Sequence, residues 1–229
     1  MNKIAIVTVE NRTNQKLGGY LEYHNQSFSK YASNNNYDYL FLNECSNNEK
    51  VNINDYWCKI YKVLEILKTN RYNYVMWVDS DTIITDYNKP LETFISKFGD
   101  KDIIIGLDCW EKCNSLHQIN SGVFIIKNTE IGKRFLQDCI DVIDSKSWCI
   151  NNDNTLNGPW AGECYEQGVM NQILLFSNKY TNNTYIDRKQ ELIYNYSSVK
   201  PNYYNSPSLI VHLCGVDSKK RTSFFSNLI

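Results

Sequence analysis

The chain has 229 residues, with 24 Lys and Arg against 25 Asp and Glu, a formal net charge of -1 and an isoelectric point near 6.3. This length allows one large or two small domains with a buried core, and the charge balance gives no bulk attraction to nucleic acid or to an anionic membrane. No stretch approaches the roughly 18 consecutive apolar residues of a transmembrane helix, and the N-terminus reads as a strand instead of a signal peptide. We therefore expect a cytoplasmic protein.

The first part of the chain alternates strands and helices. Apolar runs predict strands at 4–9, 37–42 and 75–78. Helices are predicted at about 18–33 and after residue 54, where Asn54 or Asp55 can cap a segment with helical apolar spacing. The order β-α-β-α-β predicts a parallel sheet with right-handed crossovers.

The second part is less regular. Apolar strands are predicted at 102–108, 121–128, 184–187, 191–194 and 208–215. Helices are predicted at 91–98, about 129–143 and about 163–176, with an ordered polar loop at 144–162. Neither a linker nor an internal repeat interrupts the chain, so we expect one α/β domain.

The chain has eight cysteines, of which Cys109 and Cys113 are the closest pair. No CxxC occurs, and other cysteines, such as Cys58, Cys139 and Cys214, stand in apolar surroundings. In a chain without a secretion signal this pattern favours free, buried cysteines over disulfides.

Asp79 and Asp81 directly follow the apolar strand 75–78, with Ser80 between them. The end of a buried strand is where open α/β sheets bind ligands, and alternating carboxylates suit a divalent ion that also holds a diphosphate. A solvated turn that ends the strand is the alternative.

His212 ends another apolar run and is followed by Gly215 and the basic residues Lys219, Lys220 and Arg221. An imidazole could complete a metal site begun by two carboxylates, although a lone histidine beside a strand is more often structural.

Two further segments carry polar groups at the start of a predicted element. Ser121 begins the strand predicted at 121–128 and Asn120 directly precedes it; both could bind sugar hydroxyls, or could form an ordinary turn. Glu166 and Gln167 open a helix, where an acidic residue is also expected from the helix dipole alone.

Several catalytic motifs are absent from the sequence: GxGxxG after the first strand, GxxxxGK[ST], GxSxG and HExxH. Their absence argues against a dinucleotide oxidoreductase, a P-loop enzyme, an α/β-hydrolase and a zinc protease.

The ordered segments IAIVTV, WxKI, WVDSDT, INSGVFIIKN, YEQGVMNQIL and HLCG resemble those of retaining glycosyltransferases with the GT-A fold. The resemblance runs from about residue 3 to 215 and points to the galactosyl/xylosyltransferase family, which includes galactomannan galactosyltransferases and xyloglucan xylosyltransferases. The pattern of Glu166, Gln167 and Asn171 is also similar to that of glycogenin-like enzymes. The resemblance implies one GT-A domain over 1–229, Rossmann-like with a central, mostly parallel sheet. About 1–110 would bind the nucleotide, and about 111–229 the sugar and the acceptor.

The resemblance also implies an activity and a site. A metal-dependent enzyme would transfer a sugar, with retention, from a UDP-hexose or UDP-pentose to a hydroxyl of a glycan or protein acceptor. Asp79, Asp81 and His212 would hold Mn²⁺ or Mg²⁺, and Glu166 or Gln167 would stabilise positive charge at the anomeric carbon. The residues implied in donor binding are Val7, Thr8, Glu10, Lys59, Ser80, Asn120, Ser121, Gly215 and Lys219.

The sequence departs from the family after Gly215, where Val216 and Asp217 stand in place of a typical lysine, so that Lys219 or Lys220 would have to replace it. Trp110, Trp148 and Trp160 could each stack on an acceptor sugar or pack in the core.

Two other functions stay open: a phosphoryl or nucleotidyl transferase that uses two metals, and an inactive module that binds nucleotide sugars. No hydrophobic stripe indicates an obligate protein partner.

Overall fold

A computed structural model describes residues 2–45, 53–108, 119–197 and 208–229. The strands in these ranges are β1 Ile4–Val9, β2 Asp38–Leu42, β3 Tyr74–Val78, β4 Thr82–Ile84, β5 Ile103–Leu107, β6 Ile119–Lys127, β7 Thr184–Asp187, β8 Ile193–Ser197 and β9 Ile210–Cys214. The helices are α1 Tyr20–Asn35, α2 Cys58–Lys68, α3 Leu91–Lys97, α4 Glu130–Asp144, α5 Glu166–Asn171 and α6 Ser218–Ser226. A π-helical segment, Gln172–Phe176, continues α5.

The main sheet has six strands in the order β2-β1-β3-β6-β5-β7. β1 pairs in parallel with β2 and β3, β5 pairs in parallel with β7, and only β6 runs antiparallel to its neighbours among the strands of this sheet that the structure describes. The prediction of a central, mostly parallel sheet is confirmed. The direction of β6 could not be predicted, because a strand buried on both faces reads as a continuous apolar run in either direction.

A smaller sheet has the order β4-β9-β8, with β4 antiparallel and β8 parallel to β9. Its register places His212 opposite Thr82 on one side and opposite Asn195 on the other. The two sheets are thus joined by the short turn from β3 to β4 that contains the acidic pair.

Helices cover both faces of the main sheet. Successive residues of a strand face opposite sides, so Val7 packs in the cluster that contains Ile60 of α2 and Phe135 of α4. Ile6 packs in the cluster that contains Phe28 of α1 and residues of α3.

Some elements differ from the sequence prediction. α2 begins at Cys58, and Asn54 stabilises the turn before it by accepting a hydrogen bond from the backbone N–H of Tyr56 instead of capping the helix. β4 and α6 were not predicted, because β4 is only three residues long and α6 is mostly polar. Asp217 caps α6 by accepting from the backbone N–H groups of Lys219 and Lys220.

The expectation of free cysteines is wrong for four residues. Disulfides join Cys45 to Cys58 and Cys149 to Cys164, whereas Cys139 and Cys214 are free thiols. The partners are 13 and 15 residues apart in sequence, so tertiary folding brings them together and no local motif reveals the pairing. Cys109 and Cys113 lie outside the described residues.

Among the helices of the described residues, none is both long and apolar enough to cross a membrane.

Candidate functional site

A cavity of about 660 Å³ opens at the edge of the sheet where β1 and β3 end. Parallel strands present their carboxyl ends at one edge, which is where ligands bind in open α/β sheets. The walls come from the end of β1, the start of α2, the acidic turn after β3, the starts of β6 and α5, and the connection from β9 to α6.

Backbone hydrogen bonds fix the acidic turn. The N–H of Asp79 donates to the carbonyl of Gly122 over 2.7 Å, and the Thr82 hydroxyl donates to the carbonyl of Asp79 over 2.7 Å. The Ser80 hydroxyl donates to Glu10 Oε2 over 2.6 Å and therefore ties the turn to the end of β1.

Asp79 is held by a buried cation. Lys59 Nζ, on α2, lies 3.0 Å from Asp79 Oδ1 and 3.2 Å from Glu166 Oε1. Burial alone would lower the pKa of Lys59, but the two carboxylates outweigh it and raise that pKa above its usual value. Trp77 Nε1 also donates to Asp79 Oδ1 over 2.6 Å, so this carboxylate has a fixed orientation.

Asp81 has a different set of partners. His212 Nε2 lies 3.1 Å from its Oδ1, and the Arg221 guanidinium lies 2.6 Å from its Oδ2. Burial opposes ionisation of Asp81, but these two groups outweigh it and hold its pKa well below the usual range. Burial also disfavours a charged His212, and the charge of Asp81 reverses that effect and raises the pKa of the imidazole.

Asn195 orients His212. The Asn195 amide donates through Nδ2 to the carbonyl of Leu107 over 2.7 Å, so its Oδ1 faces His212 Nδ1 at 2.8 Å and accepts from it. That bond leaves Nε2 directed at the aspartates. Gly122 makes room for the ring, because a Cβ at this position would lie 2.1 Å from His212 Cε1.

One oxygen each of Asp79 and Asp81 and one ring nitrogen of His212 lie within 4.8 Å of one another. Two carboxylates and an imidazole are ligands that Mn²⁺ accepts readily, and Mg²⁺ accepts the carboxylates. The three predicted metal ligands therefore come together in a form that fits a divalent cation.

A second polar group surrounds Ser121 at the start of β6. Its hydroxyl donates to Glu166 Oε1 over 2.9 Å, and its N–H donates to Gln167 Oε1 over 3.2 Å. Gln167 Nε2 donates to Asp108 Oδ2 over 3.0 Å, and Asn120 reaches the other oxygen of Asp108 at 3.4 Å. Glu166 Oε2 is buried and has no hydrogen-bond partner among the described residues.

The residues predicted to bind a donor are not all at the cavity. Glu10 and Gly215 line it, but Thr8 is buried and donates to the carbonyl of Val78, and Val7 lies in the core. Lys219 has an exposed side chain on α6 and does not line the cavity, and the same holds for Lys220.

Sequence reasoning left several residues of the site without an assigned role. Arg221 is the basic residue of α6 that lines the cavity, and the cluster Lys219–Arg221 was its only sequence signal. Arg12 forms a two-pronged ion pair with Glu10, with both contacts at 2.8 Å. Asp108 is the last residue of the predicted apolar strand at 102–108, a position comparable to that of Asp79, which could have identified it. Asn195 had no sequence signal.

Three aromatic side chains, Tyr56, Trp160 and Tyr165, lie against one another, and we call them the aromatic wall. Each pair of their ring centroids is 5.2 Å apart, and Tyr56 and Trp160 line the cavity. Trp148 is exposed but does not line the cavity, and Trp110 lies outside the described residues.

The first part of the chain matches a known protein family. Residues 1–103 match the galactosyl transferase GMA12/MNN10 family. No curated protein matches the chain in sequence.

Three solved structures are similar to the chain over nearly its whole length. A glycosyltransferase involved in glycosylation of the major capsid of PBCV-1 has a TM-score of 0.68 at 15% identity, and the match covers 98% of this chain and 99% of that one. The glycosyltransferase GlyE of Streptococcus pneumoniae TIGR4 has a TM-score of 0.56 at 12% identity and covers 99% of this chain but 60% of that one. The galactosyltransferase LgtC, in complex with donor and acceptor sugar analogues, has a TM-score of 0.52 at 11% identity, with 98% and 96% covered.

At these identities the solved structures establish the fold, and the match over residues 1–103 adds the enzyme class. The protein is a glycosyltransferase with the GT-A fold, similar over its first 103 residues to the galactosyl transferase GMA12/MNN10 family.

Proposed function

We propose that the protein transfers a sugar from a UDP-sugar to a hydroxyl of a glycan or protein acceptor, with a divalent cation and with retention of configuration. The observation that carries this proposal is the convergence of Asp79, Asp81 and His212 in the same cavity as Glu166. One end of the cavity thus suits a diphosphate and the other a sugar ring.

The metal end of the donor site would be held by Asp79, Asp81 and His212. A divalent cation bound there supplies charge neutralisation for the diphosphate and so favours its departure. Arg221 is the basic group of this end, since its guanidinium already lies 2.6 Å from Asp81 Oδ2. We assign to Arg221 the phosphate contact that the family makes with a lysine, because a guanidinium binds phosphate oxygens through two donors at once.

The sugar end would be organised by Glu166 and Gln167. Glu166 Oε1 and Gln167 Oε1 already accept hydrogen bonds from Ser121, and Gln167 also donates to Asp108. Glu166 Oε2 is buried and accepts no hydrogen bond from the described residues. We assign to it the stabilisation of positive charge at the anomeric carbon, while Gln167 and Ser121 hold it in position.

Retention needs no dedicated base in this scheme. The acceptor hydroxyl would attack from the face that the diphosphate leaves, and a departing phosphate oxygen would take its proton. The protein contributes position and charge, which supply most of the rate in reactions of this type.

The two other functions predict different chemistry. Phosphoryl transfer with two metals needs further carboxylate ligands, whereas in the part of the chain that the structure describes the group with metal-binding spacing is Asp79, Asp81 and His212. Of the other carboxylates that line the cavity, Glu166 shares Lys59 with Asp79 and Glu10 is paired with Arg12. An inactive module would bind a nucleotide sugar without transferring or hydrolysing it.

The test is donor hydrolysis by the purified protein with Mn²⁺ and with EDTA, across UDP-glucose, UDP-galactose, UDP-xylose, UDP-N-acetylglucosamine and GDP-mannose. We expect release of UDP from one donor in Mn²⁺ alone, lost in Asp81→Ala. Asp86→Ala is the matched control, because Asp86 is an exposed aspartate in the turn after β4 that accepts a hydrogen bond from the N–H of Asn88 and does not line the cavity. Tight UDP binding without hydrolysis or transfer would favour the inactive module, and hydrolysis of simple phosphate esters would favour phosphoryl transfer.

A further inference from the structure

We propose that the aromatic wall of Tyr56, Trp160 and Tyr165 is the acceptor subsite and that its occupant is a pyranose ring, which makes the acceptor a glycan. This inference rests on the proposed function and narrows it, since a hydroxyl of a protein side chain would need no such surface.

The wall combines wide exposure with fixed geometry. Trp160 is 64% exposed and Tyr56 is 41% exposed, although aromatic side chains of this size usually bury most of their surface. The three rings meet at interplanar angles of 61° to 70°, so each ring edge contacts a neighbouring ring. Such edge-to-face contacts stabilise the rings and leave aromatic surface open to a ligand.

The loop that carries Trp160 is fastened to the core. The disulfide Cys149–Cys164 closes it, and Trp57 Nε1 donates to the carbonyl of Cys164 over 2.9 Å. Gly168 allows close approach to α5, because a Cβ there would lie 1.9 Å from the carbonyl oxygen of Gly162. A surface held in this way loses little conformational freedom when a ligand binds.

The position of the wall matches an acceptor. Tyr165 directly precedes Glu166, so the wall adjoins the sugar end of the cavity. Asn11 and Asp55 also line the cavity and lie 3.4 Å apart through Asn11 Nδ2 and Asp55 Oδ1. An open aromatic face beside an amide and a carboxylate matches a pyranose, which has a C–H face for the rings and hydroxyls for the polar groups.

The experiment measures binding separately from catalysis. The methyl glycosides of glucose, galactose, xylose and mannose, together with lactose, maltose and cellobiose, are titrated by calorimetry up to 100 mM, with and without UDP and Mn²⁺. We expect at least one of these sugars to bind, about tenfold more weakly to Trp160→Ala and near wild-type strength to Trp160→Phe. Trp148→Ala is the matched control, because Trp148 is 53% exposed, lies in the same region of the chain and does not line the cavity.

UDP binding and donor hydrolysis are measured on the same variants. The inference expects both to be unchanged in Trp148→Ala, and it expects Trp160→Ala to weaken sugar binding by a larger factor than UDP binding. It is overturned if none of the sugars binds, if Trp160→Ala binds them as well as the wild type does, or if Trp160→Ala weakens UDP instead, which would make the wall a nucleobase site. Metal-dependent hydrolysis in the wild type with any of these results leaves the proposed function intact. Absence of both hydrolysis and transfer refutes the proposed function and with it the acceptor role of the wall, and sugar binding that depends on Trp160 would then show a pyranose site without transferase activity.

Discussion

The cavity has two regions that are built from opposite kinds of contact. Its charged floor, which we define as Lys59, Asp79, Asp81, Glu166 and His212, consists of titratable groups that are largely buried and paired with one another. The aromatic wall consists of rings that are partly open to solvent and touch mainly one another.

The difference shows how one site can combine catalysis with recognition. Buried ion pairs fix the positions of the charged side chains, but removing those charges from water costs free energy. Loss of one partner therefore leaves the other buried and unpaired, which is destabilising. Ring contacts in the wall are individually weak and carry no charge. Substitutions in the floor should therefore change the free energy of unfolding and the Mn²⁺ affinity more than substitutions in the wall do.

The largest effect is expected at Lys59. Lys59→Met would leave Asp79 and Glu166 without their shared cation and should lower the free energy of unfolding by about 3–5 kcal/mol in EDTA. Denaturant unfolding measures this loss. Lys97→Met is the control, because Lys97 makes an ion pair with Glu191 at the surface, where solvent screening leaves little effect on the free energy of unfolding. Equal effects of the two substitutions would mean that the floor is not held by charge.

A pH effect is expected just beneath the floor. Burial lowers the pKa of His24 from 6.5 to about 4, partly offset by its hydrogen bond to the carbonyl of Thr82, which follows Asp81. Between those values the unfolded chain takes up a proton at His24 and the folded chain does not, so stability falls as the pH falls. The loss should approach about 3 kcal/mol at pH 4, at about 1.4 kcal/mol per pH unit.

Unfolding titrations from pH 7 to 4 on the wild type and on His24→Gln would measure this contribution. The variant should show a smaller decline across that window. The same slope in both proteins would show that His24 is protonated in the folded state.

A smaller effect is expected from the hydrogen bond by which Asn195 orients His212. Asn195→Leu removes the acceptor at Nδ1, so we expect Mn²⁺ affinity to fall roughly 10- to 100-fold, as for other groups that position metal ligands. Electron paramagnetic resonance of free Mn²⁺ reads the affinity without any turnover. Asn128→Leu is the control, since Asn128 donates to the carbonyls of Leu67 and Tyr72 away from the cavity. A similar affinity in both variants would refute the positioning role.

The smallest effect belongs to the wall. Tyr165→Leu removes two ring contacts and should cost about 1–2 kcal/mol of stability, with Mn²⁺ affinity unchanged. Thermal unfolding and the same resonance titration check both parts. A loss of Mn²⁺ affinity would show that the wall supports the metal site, which would contradict the independence of the two regions.

Much of the floor could be predicted from the sequence because its signals are local. Val75–Val78 reads as a buried strand, and the aspartates follow it directly, so their place at the sheet edge was evident. The mostly parallel sheet followed from the alternation of strands and helices. Motif order then placed Glu166 and His212 with them, although their roles stay predictions.

The rest depends on contacts between distant segments. Asn195 meets His212 only because β8 pairs with β9 in one register, and neither strand records that register in its own pattern. Arg221 reaches Asp81 from a polar helix that had no apolar periodicity to predict it. The disulfides and the aromatic wall are likewise products of tertiary packing.

The central claim is that Asp79, Asp81 and His212 bind the donor through a divalent cation, and calorimetric titration with UDP tests it most directly. The wild type, Asp86→Ala and His212→Ala are titrated in Mn²⁺ and in EDTA. The account predicts UDP binding that requires Mn²⁺ in the first two proteins and is at least about tenfold weaker in His212→Ala. UDP binding of equal strength in EDTA, or no UDP binding at all, would contradict it.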